Sequence, residues 1–127
     1  MVLITGGTGL VGRHLLEGLL SSGESVRALH RPASDRVAVQ NFLEKRGVNL
    51  AGLEWFEAEL WDDERLEEAL SECSRVYHCA AVVSFHHRDA AWMMKVNRDA
   101  TATLVNTMLD TGIKELVHIS SVSALGR

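Results

Sequence analysis

The stretch that decides the fold is Thr5-Gly6-Gly7-Thr8-Gly9-Leu10-Val11-Gly12. It follows Val2-Leu3-Ile4-Thr5, which is apolar like a buried strand, and it leads into 10–20, where apolar residues recur at helical spacing. Its glycines fit two registers, Gly6-x-x-Gly9-x-x-Gly12 and Gly7-x-Gly9-x-x-Gly12. Glycines at such a junction let the backbone turn tightly and approach a pyrophosphate that the helix N-terminus attracts. We expect these eight residues to bind a dinucleotide; a glycine-rich turn without a ligand is the alternative.

Strand and helix patterns alternate along the rest of the chain. The predicted strands cover 2–5, 25–30, 53–58, 75–81 and 115–119. The predicted helices cover 10–20, 35–46, 62–73 and 88–111. Alternation of this kind is typical of a parallel sheet with helices on both faces. We therefore predict an α/β, doubly wound (Rossmann) fold of about five strands, with residues 1–127 forming one NAD(P)-binding domain.

Composition narrows the class of protein. A chain of 127 residues has the length of one domain, and its 46% hydrophobic content is too high for a disordered chain. The net charge of −4 argues against nucleic acid or an anionic membrane as a partner. Apolar runs are too short to span a bilayer, and a strand that starts at Met1-Val2 leaves no room for a signal peptide. Cys73 and Cys79 match no metal-ligand spacing, so we expect no metal site. A lone pair of cysteines does not form a disulfide scaffold either, so we expect a reducing, cytoplasmic location.

The end of the second strand indicates which cofactor is bound. In a Rossmann unit an acidic residue at this point holds the ribose hydroxyls of NAD. Here the residues are His30-Arg31, and no carboxylate occurs before Asp35. Because the planar guanidinium pairs with phosphate oxygens, Arg31 favours NADP, with NAD as the alternative. The alternative interpretation is that Arg31 binds no ligand and is a solvated arginine in the loop before Pro32.

Two further positions carry polar side chains where a ligand would lie. Ser120 and Ser121 follow the fifth strand, and ligands of doubly wound sheets bind beyond the carboxyl ends of strands. A serine hydroxyl there would hydrogen-bond a substrate carbonyl, or it would merely cap a turn. Asn97 interrupts an apolar helical stripe, and a buried amide needs a partner. We expect it to orient neighbouring backbone or to hydrogen-bond a strand end.

Four stretches in order resemble the extended short-chain dehydrogenase/reductases, which include sugar-nucleotide epimerases, dehydratases and dihydroflavonol-reductase-like enzymes. The first is the glycine stretch, and the others resemble the family's fourth strand, its Asn-x-x-Gly-Thr helix and its fifth strand with the serine turn. These three are Val76-Tyr77-His78-Cys79-Ala80-Ala81, Lys95-Val96-Asn97 with Thr101, and Val117-His118-Ile119-Ser120-Ser121 with Gly126. Ala100 replaces the usual glycine of the helix motif. The likeness covers the whole chain but only the first part of a family member.

The resemblance implies roles for individual residues. It implies cofactor contacts by Ala80, Ala81 and Asn97. It also implies cofactor contacts by Glu59 and Leu60. These two residues stand where the family has an aspartate followed by a hydrophobic residue near the adenine. Ser121 matches the serine of the family's Ser-Tyr-Lys catalytic set.

The catalytic tyrosine and lysine of that set are not found in the chain. The only tyrosine, Tyr77, has Ala81 rather than lysine four positions later. We therefore expect the amino-terminal, cofactor-binding portion of a longer enzyme. The leading expectation is an NADP-dependent carbonyl reductase like the dihydroflavonol reductases. The alternatives are part of an NAD-dependent sugar-nucleotide epimerase or dehydratase, and a non-catalytic dinucleotide-binding module.

The last strand predicts self-association. We expect strand 115–119 to be an exposed edge of the sheet, with Val117 and Ile119 unburied. Unpaired strand edges are prone to pair with another chain. The sequence therefore predicts a homo-oligomer.

Overall fold

The computed structural model describes residues 1–126, and Arg127, the last residue of the expected domain, lies outside the described residues. The strands are β1 (Val2–Thr5), β2 (Val26–His30), β3 (Leu53–Glu57), β4 (Arg75–His78) and β5 (Glu115–His118). The helices are α1 (Leu10–Ser21), α2 (Arg36–Lys45), α3 (Asp63–Leu70), α4 (Ala90–Met94) and α5 (Ala100–Thr111). A π-helical turn, Lys95–Asp99, joins α4 to α5.

The strands form one parallel sheet in the order β3-β2-β1-β4-β5. The chain first adds strands on one side of β1 and then crosses to add β4 and β5 on the other side. Between β1 and β4 the strand order therefore reverses, and a doubly wound sheet opens a crevice at such a point. The predicted α/β fold is confirmed.

Alternate residues of each strand supply two separate cores. In β1, Val2 and Ile4 lie against α1 and α2, whereas Leu3 lies against α3 and α5. Each of these three side chains is almost fully buried. Because helices cover both faces of β1, its residues Val2, Leu3 and Ile4 are apolar in succession instead of alternating with polar ones.

Three predicted elements differ from those of the structure by more than one residue at an end. The fourth strand ends at His78 and not at Ala81, because β1 turns away at Gly6 and leaves the next residues without a strand partner on that side. The predicted helix 62–73 is shorter, since Asp62 caps it and it ends at Leu70. The predicted single helix over 88–111 contains the π-helical turn.

A buried arginine in β2 was not anticipated from the sequence. Arg27 is 8% exposed, and its Nη1 donates to the carbonyl oxygens of Ala69 and Ser71, each at 2.8 Å. Its Nε donates to Glu54 Oε1 at 3.0 Å. The guanidinium thus satisfies carbonyl groups at the carboxyl end of α3 that the helix leaves without partners.

Two glycines make the backbone contact that starts the first helix. Gly6 has a φ of +70°, and a Cβ on it would lie 2.5 Å from the Ala80 backbone nitrogen. A Cβ on Gly12 would lie 2.1 Å from the Gly6 carbonyl oxygen. Side chains are therefore excluded at both positions, and Gly6-x-x-Gly9-x-x-Gly12 is the register that the packing requires.

Gly12→Ala should destabilise the protein, whereas Gly18→Ala should not. Both glycines lie in α1, but nothing lies within 4 Å of a Cβ at Gly18. Gly12→Ala forces a methyl group against backbone and should lower the free energy of unfolding by about 1–3 kcal/mol. Gly18→Ala should raise it by about 0.5–1 kcal/mol, because alanine has the higher helix propensity. Urea unfolding of the two variants measures both changes. Equal effects would contradict the close contact described here.

Candidate functional site

The glycine-rich turn lies at the carboxyl edge of the sheet, where β1 and β4 diverge. The Gly9 N–H donates to the Gly6 carbonyl oxygen at 3.0 Å, which closes the turn immediately before α1. Gly9 is the N-cap of α1, no side chain caps this end, and its first turn has no acidic residue. Backbone N–H groups of the first turn are therefore free to bind an anion, which the helix dipole also favours.

A cleft of about 190 Å³ extends from this turn across the ends of β2, β3 and β4. Eight of the predicted cofactor-binding residues line it: Gly6, Thr8, Gly9, Arg31, Glu59, Leu60, Ala80 and Ala81. The other six predicted residues lie in the glycine-rich turn or behind the cleft: Thr5, Gly7, Leu10, Val11, Gly12 and Asn97. The fold thus gathers most of these candidates around one space.

The end of β2 presents an arginine and a hydroxyl to this cleft. Arg31 is exposed, its N–H donates to Ser34 Oγ at 3.2 Å, and the Ser34 N–H donates back to the Arg31 carbonyl at 3.0 Å. Asp35, the nearest following carboxylate, accepts the Ala38 N–H at 3.0 Å and so caps α2. Ser34 was not singled out from the sequence, although serine after a proline is a common turn residue.

The end of β3 contributes a carboxylate with a free oxygen. Glu59 Oε2 is buried and has no hydrogen-bond partner in the protein. A buried polar atom of this kind requires a partner, and the amine of a nucleobase in the cleft would supply one. Leu60 is buried beside it, while Trp61 and Trp92 meet edge to face and line the same cleft. These residues, together with the glycine turn, fit a dinucleotide.

Asn97 holds the loop that follows β4. Its Nδ2 donates to the Val82 carbonyl at 2.7 Å, and its Oδ1 accepts the Val82 N–H at 2.8 Å. The residue lies in the π-helical turn, a feature that is frequent at functional sites in helices. The amide therefore orients neighbouring backbone, which is one of the two expected contacts.

His78 joins both sides of the crevice, a role that no single stretch of the sequence indicates. It is fully buried, with Nδ1 2.6 Å from Thr5 Oγ1 and Nε2 2.8 Å from Thr101 Oγ1. Burial and, to a smaller extent, the neighbouring His118 together lower the pKa of His78 to about 4. The ring is therefore neutral in the folded protein near pH 7. The sequence signal that could have indicated this role is a histidine at the end of a buried strand, with threonines on the elements that face it.

Ser121 lies outside the cleft. Its Oγ accepts the Ser123 N–H at 3.2 Å and caps the short turn Val122–Leu125. The side chain is exposed at the carboxyl end of β5. Its position beyond a strand end agrees with the prediction, and its chemical role stays a prediction.

Neither a membrane helix nor a metal cluster is found in the described part of the chain. No helix within residues 1–126 is both long and apolar enough to cross a membrane. Within the same residues, no group of three or more histidine, cysteine, aspartate and glutamate side chains is arranged to hold a metal ion.

The fold and the cleft define a class of protein. A glycine turn at the N-terminus of the first helix, placed at the switch point of a doubly wound sheet, is the architecture of dinucleotide-binding domains. A model of the NAD dependent epimerase/dehydratase family matches residues 2–127. The chain belongs to this family, whose members are extended short-chain dehydrogenase/reductases.

Individual relatives include both reductases and epimerases. The chain is 34% identical over 98% of its length to sterol demethylase protein B of Methylococcus capsulatus, of which it covers 35%. It is 32% identical over 97% of its length to a putative dihydroflavonol 4-reductase of Synechocystis, of which it covers 33%. A solved UDP-glucose-4-epimerase from Stenotrophomonas maltophila, with bound NAD and formylated UDP-arabinopyranose, superposes with a TM-score of 0.85 at 26% identity, over 98% of this chain and 38% of that one. The chain thus spans about a third of the length of the curated relatives that it matches.

The buried neutral His78 should make stability depend on pH. The pKa of His78 is about 4 in the folded protein, below the ordinary value of 6.5 that it regains on unfolding. As pH falls between these values the unfolded chain binds a proton that the folded chain does not, so stability is lost. Between pH 7 and pH 4.5 the unmutated chain should lose about 2 kcal/mol more unfolding free energy than His78→Leu. Urea unfolding at both pH values measures this, and parallel losses in the two proteins would contradict the assignment.

Proposed function

We propose that this chain binds NADP(H) and forms the cofactor-binding part of a longer carbonyl reductase that resembles dihydroflavonol 4-reductase. One observation carries the choice of cofactor. At the end of β2 the cleft meets the exposed Arg31 and Ser34, and the nearest following carboxylate, Asp35, is occupied as the cap of α2. A guanidinium and a hydroxyl bind the 2′-phosphate that distinguishes NADP from NAD.

The rest of the cleft suits the parts that the two cofactors share. The first turn of α1 would bind the pyrophosphate through backbone N–H groups, because Gly6, Gly9 and Gly12 let the phosphates approach. Glu59 Oε2 would accept a hydrogen bond from the adenine amine, with Leu60 against the ring. The backbone of Ala80 and Ala81 would form the floor beneath the cofactor.

Chemistry on a carbonyl substrate would take place at the carboxyl end of β5. A bound nicotinamide would supply the hydride. Ser121 Oγ accepts the Ser123 N–H, which leaves its hydroxyl hydrogen to donate to the substrate oxygen. A general acid and a cation that lowers its pKa are also needed, and the only tyrosine, Tyr77, has no lysine four residues later. Turnover is thus proposed for the longer protein, with a small carbonyl compound as substrate.

A second candidate is an NAD-dependent sugar-nucleotide epimerase or dehydratase. The likeness to the UDP-glucose-4-epimerase with bound NAD favours it, since that fold superposes at a TM-score of 0.85. A non-catalytic dinucleotide-binding module is the third candidate.

We propose the reducing cytoplasm as the location of the protein. The two thiols, Cys73 and Cys79, are free, which suits that location.

Arg31→Ala should weaken NADPH binding by about tenfold or more and leave NADH binding nearly unchanged, because only NADPH carries the 2′-phosphate. Glu59→Ala should weaken both cofactors to the same extent, because both carry the adenine. Arg98→Ala is the control for lost charge, since that side chain is exposed and outside the cleft. Calorimetric titration measures all three. Equal affinity of the unmutated chain for NADPH and NADH would contradict the NADP assignment.

We also propose that two copies associate through β5. This strand is an edge of the sheet, and Leu116, Val117 and Ile119 are between 37% and 43% exposed on and just after it. Val117→Lys should shift a dimer towards monomer, because a charged edge discourages strand pairing. Sedimentation velocity measures the change, and an unmutated chain that stays monomeric at high concentration would overturn the proposal.

A further inference from the structure

A continuous line of hydrogen bonds runs from the loop after β4, through His78, to the π-helical turn. The Ala80 N–H donates to Thr5 Oγ1 at 3.3 Å, and Thr5 Oγ1 lies 2.6 Å from His78 Nδ1. On the other side of the ring, Nε2 lies 2.8 Å from Thr101 Oγ1, which donates to the Asn97 carbonyl at 3.0 Å. We call these five residues the His78 relay.

The hydroxyl hydrogens fix the protonation of the ring. Thr101 uses its only hydroxyl hydrogen on the Asn97 carbonyl, so its oxygen accepts a hydrogen bond from His78 Nε2. A neutral ring then has no hydrogen on Nδ1, which accepts the hydroxyl of Thr5. The relay is therefore complete with the neutral Nε2–H tautomer, and every bond in it has one donor and one acceptor.

The two ends of the relay fix one segment of backbone from both sides. At one end Ala80 is held against Gly6, where a Cβ would lie 2.5 Å from the Ala80 nitrogen. At the other end Asn97 makes both of its amide hydrogen bonds to Val82. The segment 80–82, which lines the cleft, is therefore tied to β1 by Thr5 and to the π-helical turn by Asn97. His78 bonds Thr5 directly and reaches Asn97 through Thr101, so the ring joins the two attachments.

We propose that His78 is a positioning residue for cofactor binding: its two hydrogen bonds hold Thr5 and Thr101 in place, and through Thr5 and Asn97 they keep segment 80–82 against the glycine turn. The proposal rests on the proposed dinucleotide binding. Histidine makes both bonds from one rigid ring, whereas leucine, which has no polar atom in its side chain, would make neither. His118 stacks on the ring at 5.1 Å, but it is exposed and belongs to no part of the relay.

The test combines cofactor titration with amide hydrogen exchange on the full chain. His78→Leu should weaken NADPH binding by about tenfold and speed exchange of the Ala80 and Val82 amides by a similar factor, because a lost positioning contact of about 1.4 kcal/mol corresponds to tenfold. His118→Leu should change neither, because the stacked ring lies outside the relay.

Val76→Ala separates positioning from general loss of stability. Val76 is fully buried on the same strand two residues before His78, so its truncation weakens the core without touching the relay. It should lower the unfolding midpoint and leave NADPH affinity unchanged. If His78→Leu fails to fold, Thr101→Val removes the acceptor of Nε2 and the hydrogen bond to the Asn97 carbonyl, keeps the histidine, and should weaken binding in the same direction.

Imidazole nitrogen NMR spectra supply a signature that a purely structural histidine would not require. The His78 ring should be the neutral Nε2–H tautomer, and Thr101→Val should shift its Nε2 resonance. An Nδ1–H tautomer, or a folded His78→Leu that binds NADPH as tightly as the unmutated chain, would overturn the proposal. If the unmutated chain binds neither cofactor, the proposed function fails. The exchange measurement still decides whether the relay positions segment 80–82, because it needs no cofactor.

Discussion

The close backbone contact among Gly6, Gly12 and Ala80 is the constraint on which the rest of the site depends. No Cβ fits at either glycine, so the first turn of α1 packs directly on the turn that leaves β1. This contact directs an uncapped helix N-terminus at the crevice between β1 and β4. An anion site made of backbone needs no charged side chain there, and Arg13, the nearest cation, hydrogen-bonds the carbonyls of Thr8 and Gly9 instead.

Two sets of buried hydrogen bonds hold the helices and strands around that backbone contact in place. Arg27 gathers the carboxyl end of α3 onto the sheet, and the His78 relay ties the crevice to the π-helical turn. Arg27 and His78 are both buried and carry a cationic or titratable group. Burying such a group costs free energy unless its hydrogen bonds are satisfied. Arg27 remains paired through Glu54, whereas His78 is kept neutral by burial, with its pKa lowered to about 4. The site is therefore held by directional bonds as well as by apolar packing.

Local sequence signals were sufficient for the fold. Apolar runs and helical spacing predicted all five strands and the helices between them. The early end of β4 was missed because it depends on where the neighbouring β1 turns away. The π-helical turn was missed because helical periodicity continues through it, and the contact that its Asn97 makes with Val82 joins residues fifteen positions apart.

The candidate site was predictable where a local motif carries it and less so where distant residues meet. The glycine stretch and Arg31 could be picked out from spacing alone, but spacing left two glycine registers open. Gly9 and Gly12 belong to both registers, and the positive φ of Gly6 together with its approach to Ala80 distinguishes them. The Thr5–His78–Thr101 line joins residues from three elements, so no stretch of sequence contains it. The capping role of Asp35 likewise depends on where α2 begins.

A backbone amide chemical-shift map of the chain, recorded while NADPH is added, tests most directly whether the glycine turn is the pyrophosphate site. The largest changes should fall on the amides of Gly6 through Gly12 and of Ala80 through Val82, because the phosphates would lie against these groups. NADH should shift the same amides but leave that of Arg31 nearly unmoved. Saturable binding that leaves the Gly6–Gly12 amides unperturbed would contradict a cofactor bound at the first turn of α1.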